Sequence, residues 1–185
     1  MNYYTMNFGR LERHLPICKV TDTLYIAGFV LLGDPELCVE CASELLKLAP
    51  EYDYILTAEA KGIPLAHEMA KQHNDDRFMV ARKSPKLYMT GVFEVDVRSI
   101  TTARRQKLYL DTADAAMLRG KRVLIVDDVI STGESLRALE YLAEKAGGKI
   151  VGKMAVLGEG DAIGRKDIIA LQPLPLFNPD GTVKE

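Results

Sequence analysis

Two adjacent carboxylates followed by a short run of hydroxyls and a glycine carry the most specific chemistry in this chain. Asp127 and Asp128 come directly after the aliphatic run Val123-Leu124-Ile125-Val126, and Val129-Ile130 leads on into Ser131-Thr132-Gly133-Glu134-Ser135. Four consecutive aliphatic residues predict a strand covered on both faces, as in a parallel sheet, and a helical pattern begins near Gly133. The acids then stand at the carboxyl end of a core strand. The amides and hydroxyls of the small-residue turn can converge on an anion where the next helix starts, because a helix N-terminus carries about half a positive charge. A carboxylate pair beside an anion cradle suits a ligand with both hydroxyl groups and a phosphate. The plainer reading is an ordinary strand-to-helix turn whose acids act only as caps, but a cap needs one acid and not two behind an aliphatic run.

Two further strand ends carry related chemistry. Tyr52 to Thr57 reads as a central strand that ends in Ala58-Glu59-Ala60-Lys61-Gly62-Ile63-Pro64, followed by a helix from Leu65 to about Gln72. Pro64 suits the first turn of that helix, and Gly62 permits a backbone geometry that other residues resist. Ala60, Lys61 and Gly62 can offer amides and a charge to a second anion, or form a plain turn with a solvated lysine. Phe78-Met79-Val80-Ala81 is another buried strand and delivers Arg82 and Lys83 at its end, either as a solvated pair or toward the same edge as Lys61 and Asp127. Val92 to Arg98 and Lys107 to Leu110 alternate apolar and polar residues, which predicts an exposed antiparallel hairpin. Its connection, Ser99 to Gln106, is polar and basic, with Arg104 and Arg105. It reads as a mobile lid over residues 88–112, or as a solvated hairpin tip.

The remaining elements position these ends. A helix spans 35 to 48, with Leu37, Cys38, Cys41, Ala42, Leu45 and Leu46 on one stripe, so the C-x-x-C pair reads as core rather than as a metal or redox motif. Residues 1 to 33 combine β-like stretches at Tyr3 to Phe8 and Leu15 to Val20 with the apolar segment Leu24 to Leu32. Phe29 there reads as core, and His14, His67 and His73 as surface or locally satisfied. The helix after Gly133 buries Leu136, Leu139, Leu142 and Ala146 and stops at Gly147-Gly148; Lys149 to Leu157 is a strand. Gly158 to Gly164 only superficially resembles a dinucleotide fingerprint, since its third glycine is one residue late and no helical pattern follows. The proline-rich tail predicts one short edge strand around Leu174 to Phe177, and then fraying. With 185 residues, 48% hydrophobic content and a net charge of −2, a single domain over 1–185 is expected, without general nucleic-acid or membrane-surface binding. No apolar run approaches the roughly 20 residues of a membrane span, and Met1-Asn2-Tyr3-Tyr4 opens no signal peptide, so the expected location is cytoplasmic.

Val123 to Ser135 resembles, along its whole length, the phosphoribosyl-pyrophosphate (PRPP) motif of the type I phosphoribosyltransferases. The resemblance implies an α/β fold: an open parallel central sheet with helices on both faces, a flexible antiparallel hairpin lid and a small N-terminal hood over 1–33. In that family the acids, here Asp127 and Asp128, hold the ribose hydroxyls, and the loop Ser131, Thr132, Gly133, Glu134, Ser135 wraps the 5′-phosphate. Ala60, Lys61 and Gly62 resemble its pyrophosphate loop, which Arg82, Lys83 and the lid residues Arg104 and Arg105 would supplement. Mg2+ is implied as cofactor, held mainly through PRPP and water, with Asp127 and Asp128 as its candidate protein contacts. The match extends from about Ile26 to Phe177 and is closest to the adenine and xanthine branch. That implies a purine acceptor, adenine slightly ahead of xanthine, hypoxanthine and guanine, with a nucleoside monophosphate and pyrophosphate as products of nucleotide salvage. Ile26, Phe29 and Glu159 become base-binding candidates. The lid lacks the Tyr-and-Glu motif of adenine enzymes, and Phe29-Val30-Leu31-Leu32 lacks the asparagine typical of xanthine enzymes. A PRPP-binding regulator without catalysis, or a transferase for a non-purine base such as orotate, are the alternatives. A homodimer is implied by the family.

Overall fold

The computed structural model describes residues 2–98 and 105–184, with the backbone alone at 97–98 and 105–106. In chain order the elements are β1 (Tyr3–Phe8), β2 (Leu11–Lys19), β3 (Tyr25–Ala27), α1 (Pro35–Leu46), β4 (Tyr54–Ala58), α2 (Ile63–His73), β5 (Met79–Ala81), β6 (Val92–Arg98), β7 (Arg105–Asp111) and α3 (Thr112–Leu118). There follow β8 (Arg122–Ile130), α4 (Glu134–Lys145), β9 (Lys149–Glu159), a 3-10 turn (Gly160–Ala162), β10 (Ile169–Leu174) and β11 (Leu176–Phe177).

A five-stranded parallel sheet in the order β10-β9-β8-β4-β5 forms the centre. The aliphatic run of β8 supplies both of its covers. Leu124 and Val126 pack with Ile55, Met154, Val156 and the inner faces of α1 and α2, while Val123 and Ile125 pack with Leu56, Ala155 and the inner faces of α3 and α4. Each such side chain contributes about 1.5–3 kcal/mol when fully buried, which is why a continuous aliphatic run, and not an alternating one, specifies this strand. From β4 the chain winds toward β5, and from β8 it winds the other way toward β9 and β10. The order therefore reverses between β4 and β8, and ligands of open α/β sheets bind outside the strand ends at such a point.

Two smaller layers flank that edge. β1, β2, β3 and β11 pair antiparallel as a four-stranded hood. β6 and β7 form the expected hairpin, whose polar connection lies outside the described residues. The hairpin is less exposed than its alternation suggested: Val95, Leu108 and Leu110 are buried, because one face lies on α3 and α4.

Other expectations need correction. α3 had not been anticipated. The run Leu24 to Leu32 yields only the three residues of β3. The tail does not carry a single edge strand that frays. β10 extends the central sheet beside β9, β11 joins the hood, and Lys184 N–H returns to Leu176 O at 2.7 Å. Cys38 and Cys41 are buried on α1 as expected; burial pushes both thiols up, that of Cys41 to about 12.

Candidate active site

Asp127 and Asp128 lie inside β8 itself, which runs on to Ile130, so rigid strand backbone fixes them. The Asp128 side chain is 4% exposed, and Lys61 Nζ lies 2.8 Å from its Oδ2. The approach is that of an ion pair and not an aligned hydrogen bond, which leaves Oδ2 with an unused acceptor direction. Asp128 N–H donates to Asp127 Oδ1 at 2.9 Å. The Asp127 carboxyl is pushed up to about 7, first by burial and then by the charge of Asp128, with Lys61 offsetting part of the rise.

The loop after β4 lies flat on this pair. A Cβ at Gly62 would collide with Thr57 Oγ1 and stand 3.1 Å from Asp127 Oδ1. Only glycine lets the backbone approach so closely. The Glu59–Ala60 peptide within this loop is cis. Glu59, which sequence reasoning passed over, organises the neighbouring cations. Its Oε1 accepts the Lys83 amide at 2.7 Å, its Oε2 accepts Arg82 Nη1 at 3.3 Å, and Lys86 Nζ stands 3.7 Å away. Burial raises the Glu59 carboxyl, but the Lys83 amide, Arg82 and Lys86 together outweigh it and hold the group below its ordinary value. Arg82 also exchanges backbone hydrogen bonds with Tyr109 at 2.8 and 2.9 Å, which anchors the hairpin to the same edge. Arg82, Lys86 and the Lys83 amide are therefore gathered around one half-buried glutamate, while Lys61 pairs with Asp128.

On the other side of the acids, Asp127 and residues Val129 to Leu136 line a cleft of about 50 Å³. Helix capping distinguishes this end of the molecule. α1 and α3 start under aspartate caps, with Asp34 accepting from Leu37 N–H and Asp111 from Ala113 N–H. α2 and α4 instead start at Gly62 and Gly133 without a side-chain cap, and Gly133 adopts the left-handed conformation with φ 77°. The two helices that begin beside the acids thus keep their first-turn amides for something other than a side chain, and neither Asp127 nor Asp128 acts as a cap. Two uncapped N-termini flanking a carboxylate pair can hold an anion at each end of a hydroxylated ligand.

Glu159 ends β9, next to β8. Burial raises its carboxyl and the charge of Lys61 partly offsets that, so it shares the same edge. Phe29 does not. It is 3% exposed and packs on Phe8 with ring centroids 5.3 Å apart, so its faces belong to the core and the expectation of base stacking is withdrawn. Ile26 is half-buried in the hood sheet between Cys18 and Leu176. Arg104, and the side chain of Arg105, fall outside the described residues.

Residues 37–172 match a family model described as phosphoribosyl transferase domain. The chain is 32% identical over 152 residues to a hypoxanthine/guanine phosphoribosyltransferase of Methanosarcina acetivorans, covering 82% of this chain and 76% of that protein. It is 38% identical over 144 residues to one of Methanocella paludicola, covering 77% and 70%. Among solved structures it is similar to an adenine phosphoribosyltransferase of Thermoanaerobacter pseudethanolicus, with a TM-score of 0.65, 25% identity, and coverage of 77% of this chain and 84% of that one.

Proposed function

The chain belongs to the phosphoribosyltransferase family, on its purine side, and from that premise we propose that it transfers the 5-phosphoribosyl group of PRPP to a purine base in nucleotide salvage, releasing pyrophosphate. The observation that carries this reading is the pair of uncapped helix starts, Gly62 and Gly133, on either side of Asp127 and Asp128. PRPP has a 5′-phosphate for one start, a pyrophosphate for the other and two ribose hydroxyls for the acids between them.

Breaking the bond from C1′ to pyrophosphate leaves its electron pair on the departing oxygen and a positive charge on the sugar. Lys61 and the Ala60 to Gly62 amides meet the departing charge, with Arg82 and Lys83 behind them, in a geometry set before the reaction starts. Asp127 and Asp128 offset the charge on the ribose, and a purine nitrogen captures C1′ as its N–H bond breaks, the proton passing to the released pyrophosphate or to water. The donor set also suits Mg2+, which prefers hard oxygen ligands and takes much of its coordination from substrate and water. Asp127 and Asp128 would be its protein contacts, and when bound it would neutralise charge on the pyrophosphate.

For the acceptor we place hypoxanthine or guanine first, ahead of the adenine that the sequence motifs favoured. Relatives 31–38% identical carry the former names, and the lid has no counterpart of the adenine-enzyme motif. Adenine is the second reading, favoured by the fold of an adenine enzyme at 25% identity. Glu159 is the group we assign to the base edge. A second copy of the chain would dock on the segment following Lys83, where Leu87 and Tyr88 are exposed large hydrophobics. The test is incubation with PRPP, Mg2+ and, separately, hypoxanthine, guanine, adenine, xanthine and orotate. Pyrophosphate release with a 6-oxopurine supports the proposal, release with adenine alone moves the acceptor, and PRPP binding without release from any base replaces the enzyme with a PRPP-binding regulator.

A further inference from the structure

Arg165 lies in the loop between the 3-10 turn and β10, with a side chain 30% exposed, and plays no part in the site as built so far. Its Nε and Nη2 grip Asp167 Oδ1 and Oδ2 at 3.0 and 2.7 Å. Asp167 Oδ2 also accepts Lys153 Nζ at 2.7 Å, and Lys153 reaches Glu140 of α4 at 2.7 Å. The guanidinium plane is thereby braced from β9 and from α4, unlike that of a solvated surface arginine. Its third nitrogen, Nη1, stands 2.7 Å from where a Cβ on Gly133 would sit. That sets it against the left-handed turn that opens α4; the turn lines the cleft beside Asp127, and Arg165 lines the neighbouring hollow with Ile163, Gly164 and Ile168. Among the described residues Nη1 has no acceptor.

A phosphate monoester is close to a dianion at neutral pH, whereas a helix start offers only about half a positive charge. Arg137 is exposed and reaches Thr132 O at 3.4 Å, so it is not comparably fixed. An arginine whose other edge is already committed to a carboxylate presents its remaining N–H groups without further loss of side-chain freedom.

We propose that Arg165 is a phosphate-binding residue of this site, its Nη1 supplying a fixed cation to the 5′-phosphate end of the sugar ligand. The proposal rests on the reading of the Ser131 to Ser135 turn as a sugar-phosphate cradle, and a test with two one-ended ligands separates the two. Ribose 5-phosphate occupies the cradle and the acid pair, and pyrophosphate only the Lys61 side. By calorimetry, Arg165→Gln is expected to weaken ribose 5-phosphate about 10–100-fold, as loss of a charge-assisted hydrogen bond does, and to change pyrophosphate by less than about twofold on the same scale. In turnover the KM for PRPP rises while kcat holds, and Arg165→Lys recovers part of the loss. In the wild type, ribose 5-phosphate but not pyrophosphate protects Arg165 from phenylglyoxal, a measurement that stands even if the glutamine variant fails to fold. Unchanged ribose 5-phosphate affinity in Arg165→Gln, equal weakening of both ligands, or absent protection overturns the proposal. Nucleotide formation with an unimpaired variant would remove Arg165 and leave the transferase reading. Arg165-dependent ribose 5-phosphate binding without turnover of any base would do the reverse.

Discussion

At Asp127 the burial that serves the site works against the fold at neutral pH. Burial and the charge of Asp128 push its carboxyl up to about 7 in the folded protein, far above the roughly 3.9 of an unfolded chain. The folded state therefore holds its proton more tightly, and the stability this brings is complete below about pH 4 and lost as pH rises through about 7. Asp127→Asn is expected to melt several degrees above the wild type at pH 8, with the gap closing toward pH 4, while losing at least about 100-fold in kcat/KM. In the wild type, kcat/KM should climb with pH through about 7, because the ionised acid is the useful form; a flat profile would remove Asp127 from that role. Gly62→Ala tests the close approach beside it. The added methyl would meet Thr57 Oγ1 and crowd Asp127 Oδ1, so a loss of about 1–3 kcal/mol in urea unfolding is expected, together with weaker pyrophosphate binding. Asp127, Asp128 and Lys61 were legible in the sequence because each stands beside a strand end that its own neighbours announce. Glu59 and Arg165 were not, since their roles depend on Lys83, Asp167 and Gly133, and no local spacing links those positions.

Among the elements, β8 with its turn was readable because strand, acids and helix start follow one another without interruption. α3 was harder. Asp111 caps it by accepting from Ala113 N–H, but its seven residues bury only Ala115 and Leu118, too few to show a helical period. The loop after β5 depends on Glu59 for its shape. Glu59→Gln keeps the size of the side chain but removes the charge that draws Arg82 and Lys86. Pyrophosphate affinity is expected to fall about 10-fold while ribose 5-phosphate affinity stays within about twofold, because the two ligands use different helix starts. Equal losses at both ends would mean that Glu59 supports the whole sheet edge rather than this loop.

In the molecule as a whole, the parallel sheet and its two helical covers could be read from periodicity, whereas the hood could not be closed from sequence. β11 is two residues between prolines, and its partner β3 is about 150 residues earlier, so no local signal pairs them. Phe177 is 1% exposed and meets Tyr4 edge-on with ring centroids 5.1 Å apart. Phe177→Ala should cost about 3–5 kcal/mol of stability, and, because it loosens the hood more than the sheet, it should raise the KM for the base more than that for PRPP. A rise in the PRPP constant alone would contradict that division. The same strand sets an order of assembly during synthesis. The ribosome releases the acids and the phosphate turn about 40 residues before β11 emerges. A nascent chain thus carries its acid pair and the turn after it while the last strand of its hood is still unpaired.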